Sequence, residues 1–95
     1  LGIMKSLYRK KKNHALPSYL PNQEEQKWYR YCVHNNIRIS PWGIYNDPDN
    51  WYININIGPY KRGEKQNLSP EPYDRKQIWN KYYEYCKYYY DKRKQ

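Results

Sequence analysis

Phenylalanine is absent from this chain, and the aliphatic residues that build most protein cores are scarce. The 95 residues contain no Phe, and Leu, Ile and Val together number only 14. Such a composition, combined with a net charge of +9, is typical of disordered chains. However, the chain also contains 14 Tyr and 4 Trp, whose rings bury large apolar areas while keeping a polar atom for hydrogen bonding. We therefore expect a folded chain whose core is built largely from Tyr and Trp.

Long apolar runs and clustered cysteines are missing as well. No run approaches the roughly 20 apolar residues that span a bilayer, and no signal-peptide h-region follows the basic start. Two cysteines, Cys32 and Cys86, are too few for a disulfide framework, and we expect both to be buried thiols. These features predict a single soluble domain in the cytoplasm, without a membrane partner.

The acidic residues, histidines and cysteines form no pattern that indicates catalysis or metal binding. Cys32 and His34 lie two positions apart on a predicted helix, so their side chains point in nearly opposite directions. Asp47 and Asp49 flank a proline in a segment typical of turns, and they offer too few ligands for a cation site. We therefore predict a non-enzymatic protein with no catalytic residues, no metal site and no cofactor.

Residues 1–16 form a basic arm in which no acidic residue offsets the cations. We expect this arm to be flexible and residues 17–95 to form the single folded domain. Mobile cations gain affinity for nucleic acid by releasing its condensed counterions. A merely solvating terminus is the alternative interpretation. The cations of the arm are Lys5, Arg9, Lys10, Lys11 and Lys12.

A first helix is predicted over about residues 22–35. Asn22 and Glu25 have the spacing of a capping box, which marks the start of a helix. Tyr31 is predicted to point away from the apolar face. That face is formed by Trp28, Tyr29, Cys32 and Val33.

Two segments alternate apolar and polar residues with the period of a β-strand. Residues 51–57 place Trp51 and three isoleucines on one face, and Tyr52 and two asparagines on the other, which we expect to face water. Residues 37–40 alternate in the same way, and the turn-forming segment 46–50 predicts an antiparallel hairpin between them. Pro41 should interrupt the first strand or place it at an edge of the sheet.

The segment Ser69-Pro70-Glu71-Pro72 has the residues of a helix N-terminus, and it predicts a long helix over about residues 70–92. The predicted fold is therefore α+β, with a helix, an antiparallel β-hairpin or small sheet, and a long C-terminal helix packed on the sheet. The apolar face of the C-terminal helix contains Ile78, Trp79, Tyr82, Cys86, Tyr89 and Tyr90.

Gly43-Ile44-Tyr45 followed by Tyr52-Ile53-Asn54 resembles the paired strand motifs of the GIY-YIG nucleases. The resemblance implies a metal-dependent nuclease in which Arg75 and Glu84 take the places of the family's helical arginine and metal-binding glutamate. The second motif lacks its glycine, and only six residues separate the two motifs. These departures place the nuclease behind two non-enzymatic hypotheses.

The leading hypothesis is a small basic accessory module that binds nucleic acid or another polyanion, such as an acidic protein surface. Besides the arm, its cations are those of the loop after the second strand and of the C-terminus. Three tyrosines on predicted outer faces would stack on bases or anchor a protein interface. The cations are Lys61, Arg62, Lys65, Lys92, Arg93 and Lys94, and the tyrosines are Tyr31, Tyr52 and Tyr88.

The alternative hypothesis is a protein-interaction or assembly component that uses its tyrosine-rich surface and a strand edge. Its partner would be a second copy of the chain, giving a homo-oligomer, or another protein. The abundance of Tyr, Lys, Asn and Ile suggests AT-rich coding DNA, as is common in bacteriophages and some bacteria. The sequence alone does not decide between the two hypotheses.

Overall fold

A β-hairpin forms the centre of the computed structural model, which describes residues 15–93. Strand β1 (Ile37–Ile44) pairs antiparallel with strand β2 (Asp47–Ile57), so the predicted hairpin is confirmed and both strands are longer than predicted. The turn consists of Tyr45 and Asn46, and Asn46 adopts a φ of 72°, which asparagine tolerates better than most residues. The predicted turn at 46–50 is therefore wrong beyond Asn46, because the residues that follow belong to β2.

Strand β1 lies at the edge of a three-stranded antiparallel sheet with the order β1-β2-β3, in which β3 is the short strand Tyr73–Asp74. Pro41 stands opposite Ile53 in the register of β1 and β2. The amide and carbonyl of Ile53 both bond to Ser69, on the side away from β1. The nitrogen of Pro41 therefore faces the open edge, and the proline removes no ladder hydrogen bond. Its predicted edge position is confirmed.

Helix α1 (Gln23–His34) begins with the predicted capping box. The Asn22 side chain accepts a hydrogen bond from the Glu25 amide at 2.8 Å, and the Glu25 carboxylate accepts one from the Asn22 amide at 2.9 Å. The Tyr19 hydroxyl also donates to this buried carboxylate, at 2.6 Å. That hydrogen bond, with burial, raises the pKa of Tyr19 to about 12. Glu25 thus attaches the segment before the helix to its first turn.

Helix α2 (Ile78–Lys92) begins well after the predicted start at residue 70. The Ser69 hydroxyl does not cap a helix, because it accepts a hydrogen bond from the Ile53 amide and donates one to the Glu71 carbonyl. Residue 69 therefore pairs with β2 instead of starting a helix. The side chain of Asp74 instead accepts from the amides two and three residues further on, at 2.9 and 3.0 Å, just before α2 starts.

Both helices pack on one face of the sheet, and the structure confirms the predicted α+β fold. Tyr and Trp supply four of the nine buried core residues, beside Ile and Cys. Neither helix of residues 15–93 is long and apolar enough to cross a membrane. The Cys32 thiol lies 3.7 Å from the Cys86 carbonyl, and both cysteines are buried free thiols, as predicted. The side-chain interaction with Cys32, together with burial, raises the pKa of the Cys86 thiol. The buried core consists of Cys32, Ile39, Trp51, Ile53, Tyr73, Ile78, Tyr82, Tyr83 and Cys86.

The core-facing side of α1 differs from the predicted one. Tyr29 and Val33, expected in the core, are 44% and 55% exposed. Tyr31, expected outside, is half-buried against the core and meets the Tyr90 ring edge to face, with the centroids 5.6 Å apart. The ring of Tyr90 on α2 gives Tyr31 a partner that the periodicity of α1 does not indicate.

The asparagines on the outer face of β2 are buried, whereas the prediction placed this face in solvent. Asn54 and Asn56 are only 7% and 5% exposed, because the chain after β2 folds back over them. Asn54 donates to the Gln66 side chain at 2.6 Å and accepts from the Asn67 amide at 2.8 Å. Asn56 donates to Glu64 at 2.6 Å and accepts from the Asn67 side chain at 2.7 Å. These bonds satisfy the buried amides and fix the chain that covers them.

Replacing Asn56 with Ala should lower the free energy of unfolding by about 1–3 kcal/mol, because Asn67 loses its buried acceptor and Glu64 loses a donor. Urea unfolding followed by circular dichroism measures the change. The control is Ser40→Ala, an exposed residue on the same face, which should change stability by less than about 0.5 kcal/mol. Equal stability of the wild type and the Asn56 variant would contradict the structural role of this network.

Candidate nucleic-acid interface

Residues 58–66, here called the basic loop, are attached to the outer face of the sheet by Glu64. Two nitrogens of the Arg38 guanidinium donate to its two carboxylate oxygens at 2.7 and 2.8 Å. The third nitrogen of Arg38 donates to the Gly58 carbonyl at 2.8 Å. Within the loop, the Lys61 amide donates to the Glu64 carboxylate and the Glu64 amide donates to the Lys61 carbonyl, both at 3.1 Å. The loop is thus held at both ends and across its turn.

The carboxylate of Glu64 points toward the sheet, where Arg38 and Asn56 donate hydrogen bonds to it. Hydrogen bonds from Arg38 lower the pKa of this carboxyl to about 2, and those from the Lys61 amide and the Asn56 side chain act in the same direction. Partial burial opposes them but is outweighed. Glu64 therefore stays ionised across the physiological range, and its charge is matched by that of Arg38.

The predicted cations of the basic loop lie on its exposed side. Lys61, Arg62 and Lys65 are all exposed, and none of them forms an ion pair within residues 15–93. Glu64 is the loop's only acidic residue, and Arg38 already pairs with it. The loop therefore presents three uncompensated positive charges on an anchored backbone.

An aromatic row continues the outer face of the sheet beyond the basic loop. Trp42 stands directly opposite Tyr52, and this row follows that of Ser40 and Asn54. Successive rows on one face lie about 7 Å apart. Trp42 is 40% exposed, and neither ring of the row packs on another ring in the described part of the chain. We call Trp42 and Tyr52 the aromatic row.

Tyr52 was predicted to face outward, whereas Trp42 was missed. The prediction ended β1 before Pro41, so the alternation was not extended to Trp42. Continuing the pattern of Arg38 and Ser40 by two residues would have placed this ring on the outer face. The sequence therefore contained the signal, and the proline concealed it.

The predicted contact residues Tyr88, Lys92 and Arg93 lie at the C-terminal end of α2. Lys92 Nζ lies 5.3 Å from the centroid of the Tyr88 ring, which is 54% exposed. The Arg93 guanidinium lies 3.6 Å from the Tyr90 centroid and donates to the Tyr90 carbonyl at 2.7 Å. These two cations rest on aromatic faces. The remaining predicted cations, Lys5, Arg9, Lys10, Lys11, Lys12 and Lys94, lie outside the described residues.

Two hollows beside α2 share Tyr85 and Tyr89 and form one surface, which we call the tyrosine groove. One, of about 310 Å³, reaches Tyr73, and the other, of about 550 Å³, reaches Ile57 and Leu68. Ile57 is 67% exposed and Leu68 is 42% exposed. The groove contains no residue of the basic loop or of the aromatic row.

The residues that the nuclease resemblance singled out have structural partners or lie in a turn. Arg75 lies in the turn before α2, not on the helix, and bonds to Asp49 at 3.1 Å. Glu84 pairs with Lys81 at 3.2 Å on the surface of α2. Tyr45 of the GIY-like motif lies in the hairpin turn. Across residues 15–93, no three His, Cys, Asp or Glu side chains are grouped to hold a metal ion.

Comparisons of this chain with protein-family models, with curated proteins and with solved structures found no match. The functional argument therefore rests on the geometry of the chain itself.

Glu64 should make the stability of the protein depend on acidic pH. Its pKa is lower in the folded state than the ordinary value of 4.5, so it stabilises the fold above about pH 4.5. This contribution is lost as the pH falls toward about 2. Urea unfolding at several pH values should therefore show a steeper loss of stability for the wild type than for Glu64→Gln.

The matched control for this experiment is Glu84→Gln, which removes an exposed carboxylate whose helix-surface ion pair contributes little. This variant should keep the pH profile of the wild type. A Glu64→Gln profile parallel to that of the wild type would contradict the assignment.

Proposed function

We propose that this protein is a non-enzymatic accessory module that binds nucleic acid through the basic loop. The observation that carries the proposal is the inward pairing of Glu64, which leaves Lys61, Arg62 and Lys65 exposed and unpaired. Lysine and arginine side chains in such a position bind phosphates and release the counterions condensed on nucleic acid. The same cations would also bind other polyanions, such as an acidic protein surface.

The anchoring of the basic loop supports the proposal. Arg38, Asn54 and Asn56 hold the loop through several hydrogen bonds to the sheet. A backbone that is already ordered loses less conformational freedom when its side chains bind a ligand. The loop cations therefore gain affinity from a fixed position as well as from charge.

The charge of the whole chain adds long-range attraction. Residues 15–93 contain twelve Lys and Arg against nine Asp and Glu, so most of the net charge of +9 is carried by the residues on either side. The cations of the arm would increase the rate and strength of association without setting its position. The proposal includes a cytoplasmic location, in which Cys32 and Cys86 remain thiols.

The salt dependence of binding tests this proposal. Fluorescence anisotropy with short labelled DNA between about 50 and 200 mM salt should show affinity falling linearly on a double-logarithmic plot. Replacing Lys61, Arg62 and Lys65 together with Gln should weaken binding. It should also make the slope less negative by roughly two to three, since each phosphate contact contributes about 0.7–0.9.

A second triple variant with the same change of net charge serves as the control. Lys27→Gln, Arg30→Gln and Lys76→Gln remove exposed cations outside the basic loop, and this variant should keep the wild-type slope. Equal weakening by both triple variants would show that total charge, not the loop, drives binding. No binding by the wild type at low salt would overturn the proposal.

A second candidate function, a protein-interaction component, is supported by the tyrosine groove. Its exposed Ile57, Leu68 and Tyr88 surround hollows lined by further tyrosines. Contiguous exposed apolar surface marks many interaction sites, and tyrosine is enriched in the cores of interfaces. The partner proposed for this groove is a second copy of the chain.

Light scattering over a range of protein concentrations tests self-association. The mass of the wild type should rise with concentration, and Ile57→Asp should shift the rise to higher concentration because it places a charge in the apolar contact. Val33→Asp, which alters a similarly exposed residue on α1, is the control and should behave as the wild type. A wild type that stays monomeric throughout would exclude self-association through this groove.

A further inference from the structure

The aromatic row and the basic loop share one face of the sheet. The loop covers the end of this face where Arg38 stands opposite Asn56, and the row of Ser40 and Asn54 follows. The aromatic row comes next, so about two row spacings separate it from the anchor of the loop. The basic loop is therefore anchored on the same face of the sheet as the two outward-facing rings, with the row of Ser40 and Asn54 between them.

The rings of the aromatic row are not part of the core. The core-facing aromatics pack on one another, as Trp79 does on Tyr82 with their centroids 5.3 Å apart. Trp42 has no such ring partner among the described residues, and 40% of its surface remains exposed. A cross-strand aromatic pair stabilises a hairpin by only about 0.2–1 kcal/mol relative to a pair of alanines. An exposed tryptophan at this position is therefore better explained by a binding role.

Of the two acidic residues nearest the row along β2, one is held by a neutral side chain and the other is ion-paired. Asp47 accepts hydrogen bonds from the Asn50 side chain at 2.9 and 3.1 Å. Asp49 pairs with Arg75 at 3.1 Å. The three unpaired cations of the basic loop thus outnumber the one carboxylate in this part of β2 that lacks an ion pair.

We propose that the aromatic row stacks on the bases of single-stranded nucleic acid while the basic loop binds the adjoining phosphates. In a duplex each base face is covered by its neighbours, so flat rings on a sheet reach bases only when these are unpaired. Cations bind both forms, whereas stacking adds affinity for the single strand alone. This inference rests on the proposed function and names its substrate class.

Paired binding measurements with a single strand and a hairpin duplex of matched length, at one salt concentration, test the inference. The wild type should bind the single strand more tightly. Trp42→Ala and Tyr52→Ala should each weaken single-strand binding by roughly 5- to 150-fold, the equivalent of about 1–3 kcal/mol per stacked base, and leave duplex binding unchanged. Trp42→Phe keeps a flat ring and should restore most of the affinity.

Intrinsic fluorescence gives a second readout that a purely structural role would not change. Stacking should quench Trp42, so the wild type should lose fluorescence when it binds the single strand, and Trp42→Phe should bind with less quenching. The control variant is Tyr29→Ala, which removes a 44% exposed ring from α1, and it should leave both affinities unchanged. Urea midpoints confirm that each variant is folded.

The outcomes separate this inference from the proposed function. Stacking is excluded if Trp42→Ala and Tyr52→Ala bind single strands as the wild type does. It is also excluded if these variants lose the same affinity for the single strand and for the duplex. The loss of binding in the loop triple variant would still support the nucleic-acid module in that case. A wild type that binds neither ligand overturns both proposals.

Discussion

Over residues 53–56 strand β2 is buried on both faces, and the rest of the structure depends on how those faces are covered. One face places Trp51 and Ile53 under the two helices, as a chain with few aliphatic residues requires. The other face buries Asn54 and Asn56, which are stable there only because their amides are hydrogen-bonded. Those partners come from the basic loop and the residues that follow it. Covering the second face thus fixes the position of the loop cations.

The features that were predicted correctly from the sequence depend on neighbouring residues. The capping box of Asn22 and Glu25 needs only four consecutive residues, and the hairpin needs only two alternating segments and a turn. Pro41 could be placed at an edge because proline lacks the amide that a central strand needs. The aromatic core followed from composition, since tyrosine was the only abundant residue able to form it. Local chemistry therefore determined most of the fold class.

The features that were missed depend on partners distant in the sequence. Ser69 has the properties of an N-cap, yet its hydroxyl accepts a hydrogen bond from the Ile53 amide of β2. Its own amide donates to the Ile53 carbonyl. The two asparagines of β2 were predicted to face solvent, because the residues next to them in the sequence do not indicate that a later segment covers them. The same limitation applies to the site: Lys61 and its neighbours were found as cations, but the pairing of Glu64 with Arg38 required the fold. Alternation alone could have found Trp42 if the strand had been extended past Pro41.

The two candidate surfaces lie apart, so the evidence for each proposed function can be weighed separately. The tyrosine groove lies along α2 and β3, whereas the basic loop and the aromatic row lie on the opposite face of the sheet from the helices. Occupation of one surface therefore does not require the other to be free. The groove resembles many apolar surfaces, and tyrosine is common everywhere in this chain. The outer face combines unpaired cations, an anchored backbone and rings with no core role, and it is this combination that favours nucleic acid over a protein partner.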